Sequence, residues 1–220
     1  MKFSVLHPSR RPSKWVDSWN SWNCGACNVQ EHILAVDEDQ ADEFRRTIED
    51  YRLPVKLVVC IGRCHDSTAA YNAAAKASSG DALIVSADDV FPPASWDSLM
   101  ERVAPKDREE WVLHCSTGHP TRDDSTIFQP VFSRAVYERW GYVCWPEYAA
   151  MYADDDWTAK ARAEGLVVEA RHVLLEHRHP SFRAEWARGW DEVYEHEASQ
   201  EHYRVGREVF ARRKAAGFKP

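Results

Sequence analysis

The sequence has 220 residues, 44% of them hydrophobic and 29% charged, which fits one compact domain and excludes a disordered chain. Its net charge of −7 argues against a general nucleic-acid coat, because such binding depends on Lys and Arg neutralising phosphates. The apolar runs are too short for a membrane span, and residues 1–7 are too short for a signal peptide. We therefore expect a cytoplasmic protein with no membrane contact.

Strand-like and helix-like segments alternate along the chain, which predicts an α/β fold with a largely parallel sheet. Pro8 is expected to end the first strand. Trp15, Trp19 and Trp22 fall on one face of the first helix, a pattern that favours core packing over a ligand platform. In the first half of the chain the predicted strands are 3–7, 32–36, 55–61 and 82–86, and the predicted helices are 12–23, 41–51, 68–78 and one that starts at Ser95.

The second half of the chain continues this alternation and then becomes helical. A loop is predicted at 176–180, and a soft boundary near Pro180 divides the chain into a domain at 1–180 and a C-terminal helical extension at 181–220 that packs on it. The extension is amphipathic and rich in Trp and Tyr. The predicted strands here are 111–115, 127–132 and 166–170, and the predicted helix is 154–164.

Four of the cysteines raise the question of a zinc site. Cys24 and Cys27 have CxxC spacing, and Cys60 and Cys64 follow later. The first pair follows a predicted helix and the second follows the end of a predicted strand. In a parallel sheet these positions lie at opposite edges, so we expect reduced thiols rather than a zinc cluster.

Polar residues concentrate after the predicted strands, where open α/β sheets bind their ligands. Two adjacent carboxylates followed by a rigid Pro-Pro suit Mg²⁺ or Mn²⁺, which is bound through few protein oxygens plus substrate phosphates. A turn or helix cap is the alternative interpretation of such a pair. The polar groups are 9–11 after the first strand, 37–39 after the second, Arg63 and His65 after the third, and Asp88 and Asp89 after the fourth.

The surroundings of the acidic pair favour the metal. The segment GDALIVSADDVFPP at 80–93 resembles the strand and acidic motif of family 2 glycosyltransferases with the GT-A fold, a mostly parallel sheet flanked by helices. This resemblance implies that Asp88 is the metal ligand, that Asp89 supports it, and that a nucleotide-sugar donor binds beside them. The first acidic position of the family's motif is Ser86 in this sequence, which departs from the pattern.

The resemblance extends over residues 3–180 and implies further contacts with the donor. Pro8, Ser9 and Arg10 match the nucleotide-binding turn after the first strand. Asp37 matches the acid that contacts the base or ribose, and Asn72 matches the asparagine that faces the diphosphate. The candidates for holding phosphates are Arg10, Arg63 and Arg178.

The segment 153–157 is similar to the family's Glu-Asp motif, which makes Asp154 the catalytic base. Three aspartates stand in a row here, so Asp155 is the alternative if the register differs by one, Asp156 also stays open, and one of the three is expected to cap the helix. The position at the start of a helix predicts that the helix dipole keeps Asp154 ionised at neutral pH. His177 or His179 is expected to supply a third metal ligand.

The sequence looks closest to a small branch of the family found in phage genomes. It implies a metal-dependent, inverting glycosyltransferase that uses Mn²⁺ or Mg²⁺ and a nucleotide-sugar, with a UDP-sugar as the favoured donor. Some relatives decorate hydroxymethylated pyrimidines, so the leading acceptor is a 5-hydroxymethylpyrimidine base in phage DNA, in the cytoplasm of the host cell. A DNA acceptor is also favoured by the basic residues of the tail, which are Arg204, Arg207, Arg212, Arg213, Lys214 and Lys219.

Three other functions stay open at this point. The overall acidity favours a surface glycan or small molecule as the acceptor over DNA. A nucleotidyltransferase would be expected to carry a glycine-rich loop after the first strand, which 8–12 lacks. A non-catalytic nucleotide-sugar binding module would not need acids at both the metal and the base positions. The oligomeric state is not indicated.

Overall fold

A mostly parallel β-sheet forms the centre of the protein, in a computed structural model that describes residues 1–28, 30–62 and 66–219. Its strands are β1 (Phe3–Ser9), β2 (Glu31–Asp37), β3 (Lys56–Cys60), β4 (Ala82–Val85), β6 (Val112–Ser116), β7 (Val131–Ser133) and β8 (Val167–Leu174), and a separate two-stranded sheet consists of β5 (Val90–Phe91) and β9 (Glu176–His177). The central order is β3-β2-β1-β4-β7-β6-β8, and β7 is antiparallel to both of its neighbours.

Helices cover the sheet, as the alternating sequence pattern predicts. They are α1 (Trp15–Cys24), α2 (Ala41–Tyr51), α3 (Ser67–Ala77), α4 (Trp96–Val103), α5 (Arg134–Trp140), α6 (Ala153–Ala163), α7 (Glu192–Glu197) and α8 (Gln200–Ala215), with short 3₁₀ turns at Glu38–Gln40 and Ala184–Gly189. Among the residues described, no helix combines the length and the apolar character that a bilayer crossing requires. The predicted α/β class with a largely parallel sheet is confirmed.

The structure corrects the prediction that Pro8 ends the first strand, because β1 runs through it to Ser9. Pro8 pairs with Ala35 of β2 on one side. On the other side the pairing of β1 with β4 stops at Leu6, whose carbonyl accepts a hydrogen bond from Ser86. Pro8 has the same orientation as Leu6, so its missing N–H faces a side where the neighbouring strand has already ended.

Three other element predictions differ from the structure. Only the last two residues of the predicted strand 127–132 belong to β7. The helix α5 follows at once, with Ser133 accepting a hydrogen bond from Val136 as its N-cap and Gly141 at φ 77° after its end. The predicted loop 176–180 begins as β9, which pairs with β5.

The tryptophan stripe of α1 belongs to the core, as predicted. Trp15, Trp19 and Trp22 are 0%, 8% and 1% exposed. Trp15 packs on Phe44 of α2, and Trp22 meets Trp96 of α4 edge to face at 4.9 Å between ring centroids. These contacts fix α1 against one face of the sheet, directly beyond the end of β1.

Three of the four cysteines considered for a zinc site lie among the described residues. Cys24 ends α1 and is exposed, as is Cys27. The backbone N–H of Cys27 donates to Asp97 of α4 at 2.9 Å. Cys60 ends β3 and is buried, and Cys64 lies outside the described residues.

The last helix is anchored by a buried ion pair. Arg213 of α8 donates from Nε to Asp156 Oδ2 of α6 at 2.6 Å, with the two side chains only 4% and 3% exposed. Its Nη2 also donates to Tyr142 at 3.0 Å, and its guanidinium lies 3.9 Å from the ring centre of Trp145. The helix α8 therefore packs on α6 through a buried charge that has its partners.

Close approach of α8 also depends on Gly206. A Cβ atom at this position would lie 2.5 Å from the carbonyl oxygen of Met151, which is backbone and has no room to move aside. Met151 directly precedes Tyr152, the residue at φ 70° from which α6 starts. The glycine thus brings α8 against the start of the helix that carries Asp154.

We predict that Arg213→Ala destabilises the protein by about 3–5 kcal/mol, because it leaves the Asp156 carboxylate buried without its cation. The matched control is Arg212→Ala, which removes an exposed pair with Glu147 and should cost less than about 1 kcal/mol. Urea unfolding of both variants measures the difference. Equal losses in the two variants would contradict the assigned role of the buried pair.

Candidate active site

A cavity of about 890 Å³ opens at the carboxyl ends of β1, β2 and β4. This is the edge at which the sequence placed the ligand. It brings together most of the residues assigned to the site from sequence, although these are spread over the whole chain. The predicted site residues that line it are Pro8, Ser9, Arg10, Asp37, Asp88, Asp89, Asp154, Asp155, His177 and His179.

Asp88 sits at the bottom of this cavity and is 7% exposed. His7 Nε2 lies 2.9 Å from its Oδ1, and Arg11 Nη1 donates to Oδ2 over 3.4 Å. His7 Nδ1 in turn lies 3.0 Å from His32 Nε2, inside the sheet. Burial, together with the neighbouring His7, holds the pKa of His32 well below its usual value, so His32 is neutral. Two strands of the core therefore fix the direction of the Asp88 carboxylate.

Asp89 faces the second, two-stranded sheet. Its Oδ2 accepts a hydrogen bond from the Tyr194 hydroxyl at 2.6 Å and lies 3.2 Å from His177 Nε2. The pairing of β5 with β9 sets this geometry, because Val90 opposes His177 and the backbone N–H of Arg178 donates to the carbonyl of Asp89. Burial would raise the pKa of Asp89, but His177 and Tyr194 hold that pKa well below its usual value, so the carboxylate is ionised.

These side chains fit a divalent ion of the Mg²⁺ or Mn²⁺ type. The described residues contain no cage of three or more His, Cys, Asp or Glu donors, but such ions are commonly held by one or two carboxylates together with substrate phosphates and water. Asp89 and His177 are spaced as neighbouring ligands of one ion would be. His177 Nδ1 is buried with no hydrogen-bond partner among the described residues, which leaves ring nitrogen capacity unused.

The other predicted histidine ligand points elsewhere. His179 Nδ1 lies 2.7 Å from the hydroxyl of Ser181 and accepts from the backbone N–H of the same residue. Its ring centre is 5.5 Å from that of His177. Burial and the nearby His177 lower the pKa of His179 to about 4, so the ring is neutral at pH 7. His177 is thus the better placed of the two for a metal.

The turn after β1 lies beside the acid that follows β2. Arg10 forms an ion pair with Asp37, which is 4% exposed, and a longer one of 3.5 Å with Asp39. Ser9 Oγ accepts from the backbone N–H of Arg11 at 3.1 Å and shapes the turn. Ser86 is fully buried, so a carboxylate at this position would lack solvent.

Asn72 is not brought to the cavity, in contrast to the prediction that it faces the diphosphate. Its Nδ2 donates to the carbonyl of Cys144 at 2.7 Å, and its Oδ1 accepts from the backbone N–H groups of Val143 and Cys144. The side chain thus fixes the loop after α5. Arg178 also lies away from the lining, stacked 4.0 Å over Phe91, and Arg63 lies outside the described residues.

The three aspartates of α6 have three different surroundings. Asp156 points inward to Arg213, and Asp155 forms an ion pair with Arg122. Asp154 faces the cavity. Burial, followed by the negative charge of Asp155, raises the pKa of Asp154 to about 6. The helix dipole alone predicts a carboxyl that is ionised at neutral pH and only weakly basic. Burial has the larger effect on the pKa of Asp154 and makes this carboxylate a stronger base.

Sequence reasoning missed the contribution of the C-terminal segment to the cavity. Tyr194 and Glu197 of α7 line it, and burial raises the pKa of Glu197 to about 7. Arg122, from the loop after β6, also lines it. The spacing of Asp191, Tyr194 and Glu197 at every third residue places them on one side of a short helix, and this was the available signal.

No protein-family model matches this sequence, and no curated protein does. Solved structures do match. A mannosyltransferase from Pyrobaculum calidifontis, solved with GDP-Man and Mn²⁺, has a TM-score of 0.61 at 16% identity over 98% of this chain and 75% of its own. TarS 1–349 from S. aureus has a TM-score of 0.60 at 15% identity over 98% of this chain and 72% of its own. Glucosyl-3-phosphoglycerate synthase from Mycobacterium tuberculosis, solved with Mn²⁺, UDP and phosphoglyceric acid, has a TM-score of 0.57 at 13% identity. That match covers 81% of this chain and 71% of the synthase.

These similarities show the fold, which is that of GT-A glycosyltransferases. In two further matches, 77% of this chain corresponds to 35% of a TarS structure and to 57% of TarS 1–349 solved with UDP, so this chain spans only part of those structures.

We predict that the Asp154 carboxyl titrates with a midpoint near pH 6, visible by ¹³C NMR as a resonance lost in Asp154→Asn. Because its folded-state pKa exceeds the ordinary value of 3.8, the folded state holds this proton more tightly than the unfolded chain. Relative to Asp154→Asn, the free energy of unfolding should fall by about 2 kcal/mol as pH rises from about 4 to about 6. A midpoint near 4 would contradict this environment.

Proposed function

We propose that the protein is a metal-dependent glycosyltransferase that moves a sugar, with inversion, from a nucleotide-sugar to a hydroxyl acceptor, and that the donor is a UDP-sugar. The observation that carries the proposal is that one cavity holds both an acidic pair suited to a metal and, on a separate helix, an aspartate whose pKa is raised to about 6. The GT-A fold and the nucleotide complexes of structures that share it support this assignment.

The donor would occupy the part of the cavity nearest β1 and β2. Asp37 and the turn at Pro8, Ser9 and Arg10 would hold the nucleoside, with Arg10 already oriented by Asp37. Asp88, Asp89 and His177 would hold the divalent ion. When bound, this ion neutralises the negative charge that builds on the leaving diphosphate.

Asp154 would act as the general base. As the acceptor hydroxyl attacks the anomeric carbon, its proton passes to the Asp154 carboxylate, and the bond from that carbon to the diphosphate oxygen breaks. A base with a pKa near 6 is ionised at pH 7 and still basic enough to take the proton. Asp155 is less suited to this role, because Arg122 already neutralises it.

The acceptor in this proposal is a 5-hydroxymethylpyrimidine base in DNA. The basic tail supports this acceptor less in the structure than in the sequence, because several of its cations have acidic partners. Three of its cations are already engaged, since Arg204 pairs with Glu201 and Glu208, Arg212 pairs with Glu147, and Arg213 is buried. What supports a flat acceptor is the mouth of the cavity. There His119 stacks on Phe128 at 4.7 Å and 3° between the rings, and both residues line the cavity.

The metal assignment predicts that Asp88→Asn and Asp89→Asn each weaken Mn²⁺-dependent binding of UDP by about 10- to 100-fold, because each removes a charge from the ion's surroundings. Isothermal titration calorimetry with and without MnCl₂ measures this. The control is Asp50→Asn on the exposed face of α2, which should bind as the parent does. Unchanged affinity in both site variants, with Mn²⁺ present, would contradict the assignment.

The base assignment predicts that Asp154→Asn lowers turnover by about 10²- to 10⁴-fold while UDP affinity stays within about twofold of the parent. The donor is found by screening nucleotide-sugars for hydrolysis, and the acceptors tested with it are hydroxymethylated DNA, a glycan panel and small alcohols. Near-normal turnover of Asp154→Asn alongside a collapse in Asp155→Asn would move the role to Asp155. Release of pyrophosphate instead of a nucleoside diphosphate would indicate a nucleotidyltransferase.

A further inference from the structure

The segment 191–194 contacts Arg11, which lies beside Asp88, and Asp89, which the proposed function assigns to the metal. Asp191, which precedes α7, binds Arg11 through both carboxylate oxygens, at 2.8 Å to Nε and 2.9 Å to Nη2. Lys14 Nζ donates to the same carboxylate at 2.7 Å. Three residues later, Tyr194 donates its hydroxyl proton to Asp89. The Asp191 carboxylate and the hydrogen-bond-donating Tyr194 hydroxyl thus come from one segment.

Arg11 is placed as a phosphate ligand would be. Its side chain is 12% exposed, it lines the cavity, and its third nitrogen reaches toward Asp88. A guanidinium held by two parallel N–H···O contacts binds a carboxylate and a phosphate in the same way. Lys14 adds a second positive charge on the same oxygen. The Asp191 carboxylate therefore occupies a position in which a diphosphate oxygen would find the same partners.

Tyr194 occupies the Asp89 carboxylate in the way that Asp191 occupies Arg11 and Lys14. Its hydroxyl hydrogen bonds to the Asp89 oxygen that also faces His177, and its ring lies under the Arg11 guanidinium at 4.1 Å. A divalent ion on Asp89 would compete with this hydrogen bond. With Asp191 on the cationic groups and the neutral Tyr194 hydroxyl on the Asp89 carboxylate, the segment 191–194 occupies both the cations and the acid that a metal diphosphate would contact.

The segment 184–197 has few buried residues, although Trp190 and Tyr194 pack on His179. Of its residues only Tyr194 is buried, and Trp190 is 43% exposed. Glu197, at the end of α7, faces the charges of Asp88 and Asp89 and would be repelled further by a bound diphosphate. A segment with few buried apolar contacts opens at low cost in free energy.

We propose that Arg11 and Lys14 form the anion subsite for the donor's diphosphate, and that the segment 190–197 is a latch whose Asp191 holds this subsite until the diphosphate displaces it. The inference rests on the proposed function for the identity of the anion. It also predicts that binding and release of the donor are coupled to movement of the latch.

The test is the variant Asp191→Asn, which removes the competing charge but keeps a side chain able to cap α7, where Asp191 accepts from the Tyr194 N–H. UDP with MnCl₂, and separately inorganic pyrophosphate with MnCl₂, should bind about three- to tenfold more tightly to this variant than to the parent. The matched control is Asp42→Asn, which removes an exposed Asp–Arg pair on α2 and should leave both affinities unchanged. Arg11→Lys should weaken both ligands by about tenfold or more.

Hydrogen exchange of the parent provides a readout that does not depend on a variant. Saturating UDP and MnCl₂ should speed amide exchange in 190–197, because the latch is displaced, while β1 and β4 become better protected. Slower exchange in 190–197 would mean that the segment closes over the donor and would overturn the inference. Unchanged or weaker affinity in Asp191→Asn would also overturn it.

These outcomes separate the latch from the proposed function. Tighter pyrophosphate binding in Asp191→Asn, without sugar transfer in the parent, would sustain the anion subsite and reject the glycosyltransferase. Sugar transfer that depends on Asp154, combined with unchanged pyrophosphate affinity in Asp191→Asn, would reject only the latch. No binding of UDP or pyrophosphate by the parent and by Asp191→Asn would reject both.

Discussion

The ion pair between Arg213 and Asp156 joins the last helix of the chain to the helix that carries the candidate base. Both side chains are buried, and neighbouring tyrosines complete their hydrogen bonds. Removing either partner would strand a charge in the interior, so α6 and α8 keep a fixed relation. Because Asp156 is turned inward, the helical rotation of about 100° per residue directs Asp154 and Asp155 to other sides.

Opposite charges are arranged across the cavity in pairs. Asp37 faces Arg10, Asp88 faces Arg11, and Asp155 faces Arg122. Asp154 has no such cation within ion-pair distance among the described residues, and burial together with the negative charge of Asp155 raises its pKa to about 6. A site of this kind is suited to a ligand that brings both signs of charge, as a metal complex of a diphosphate does.

The sequence predicted the parts of the site that depend on strand ends. Strands of a parallel sheet place their C-terminal residues at one edge, so Arg10, Asp37 and Asp88 could be placed together without knowing any contact. Asn72 could not be judged in this way, because its amide satisfies backbone groups in a loop far along the chain. No feature of the sequence around Asn72 indicates that its amide binds the backbone of Val143 and Cys144.

The parts that the sequence did not predict are short and depend on tertiary contacts. The two-residue strands β5 and β9 have no periodicity to recognise, and each exists because the other is present. The helical tail that contains α7 was predicted, but its place at the cavity was not: this six-residue helix is held there by the contacts of Asp191 and Tyr194. The hydrophobic pattern alone could not place either feature at the cavity.

The pairing of β5 with β9 has a consequence for the order in which the protein is made. Asp89 and His177 are 88 positions apart in the chain, and Asp89 and Tyr194 are 105 apart. During synthesis from the N-terminus, strands β1 to β4 leave the ribosome long before any of these partners exists. The acidic edge of the sheet is therefore without these partners until His177 and Tyr194 have been synthesised. Contacts of this sequence separation also slow folding, so the cavity is completed among the last parts of the molecule.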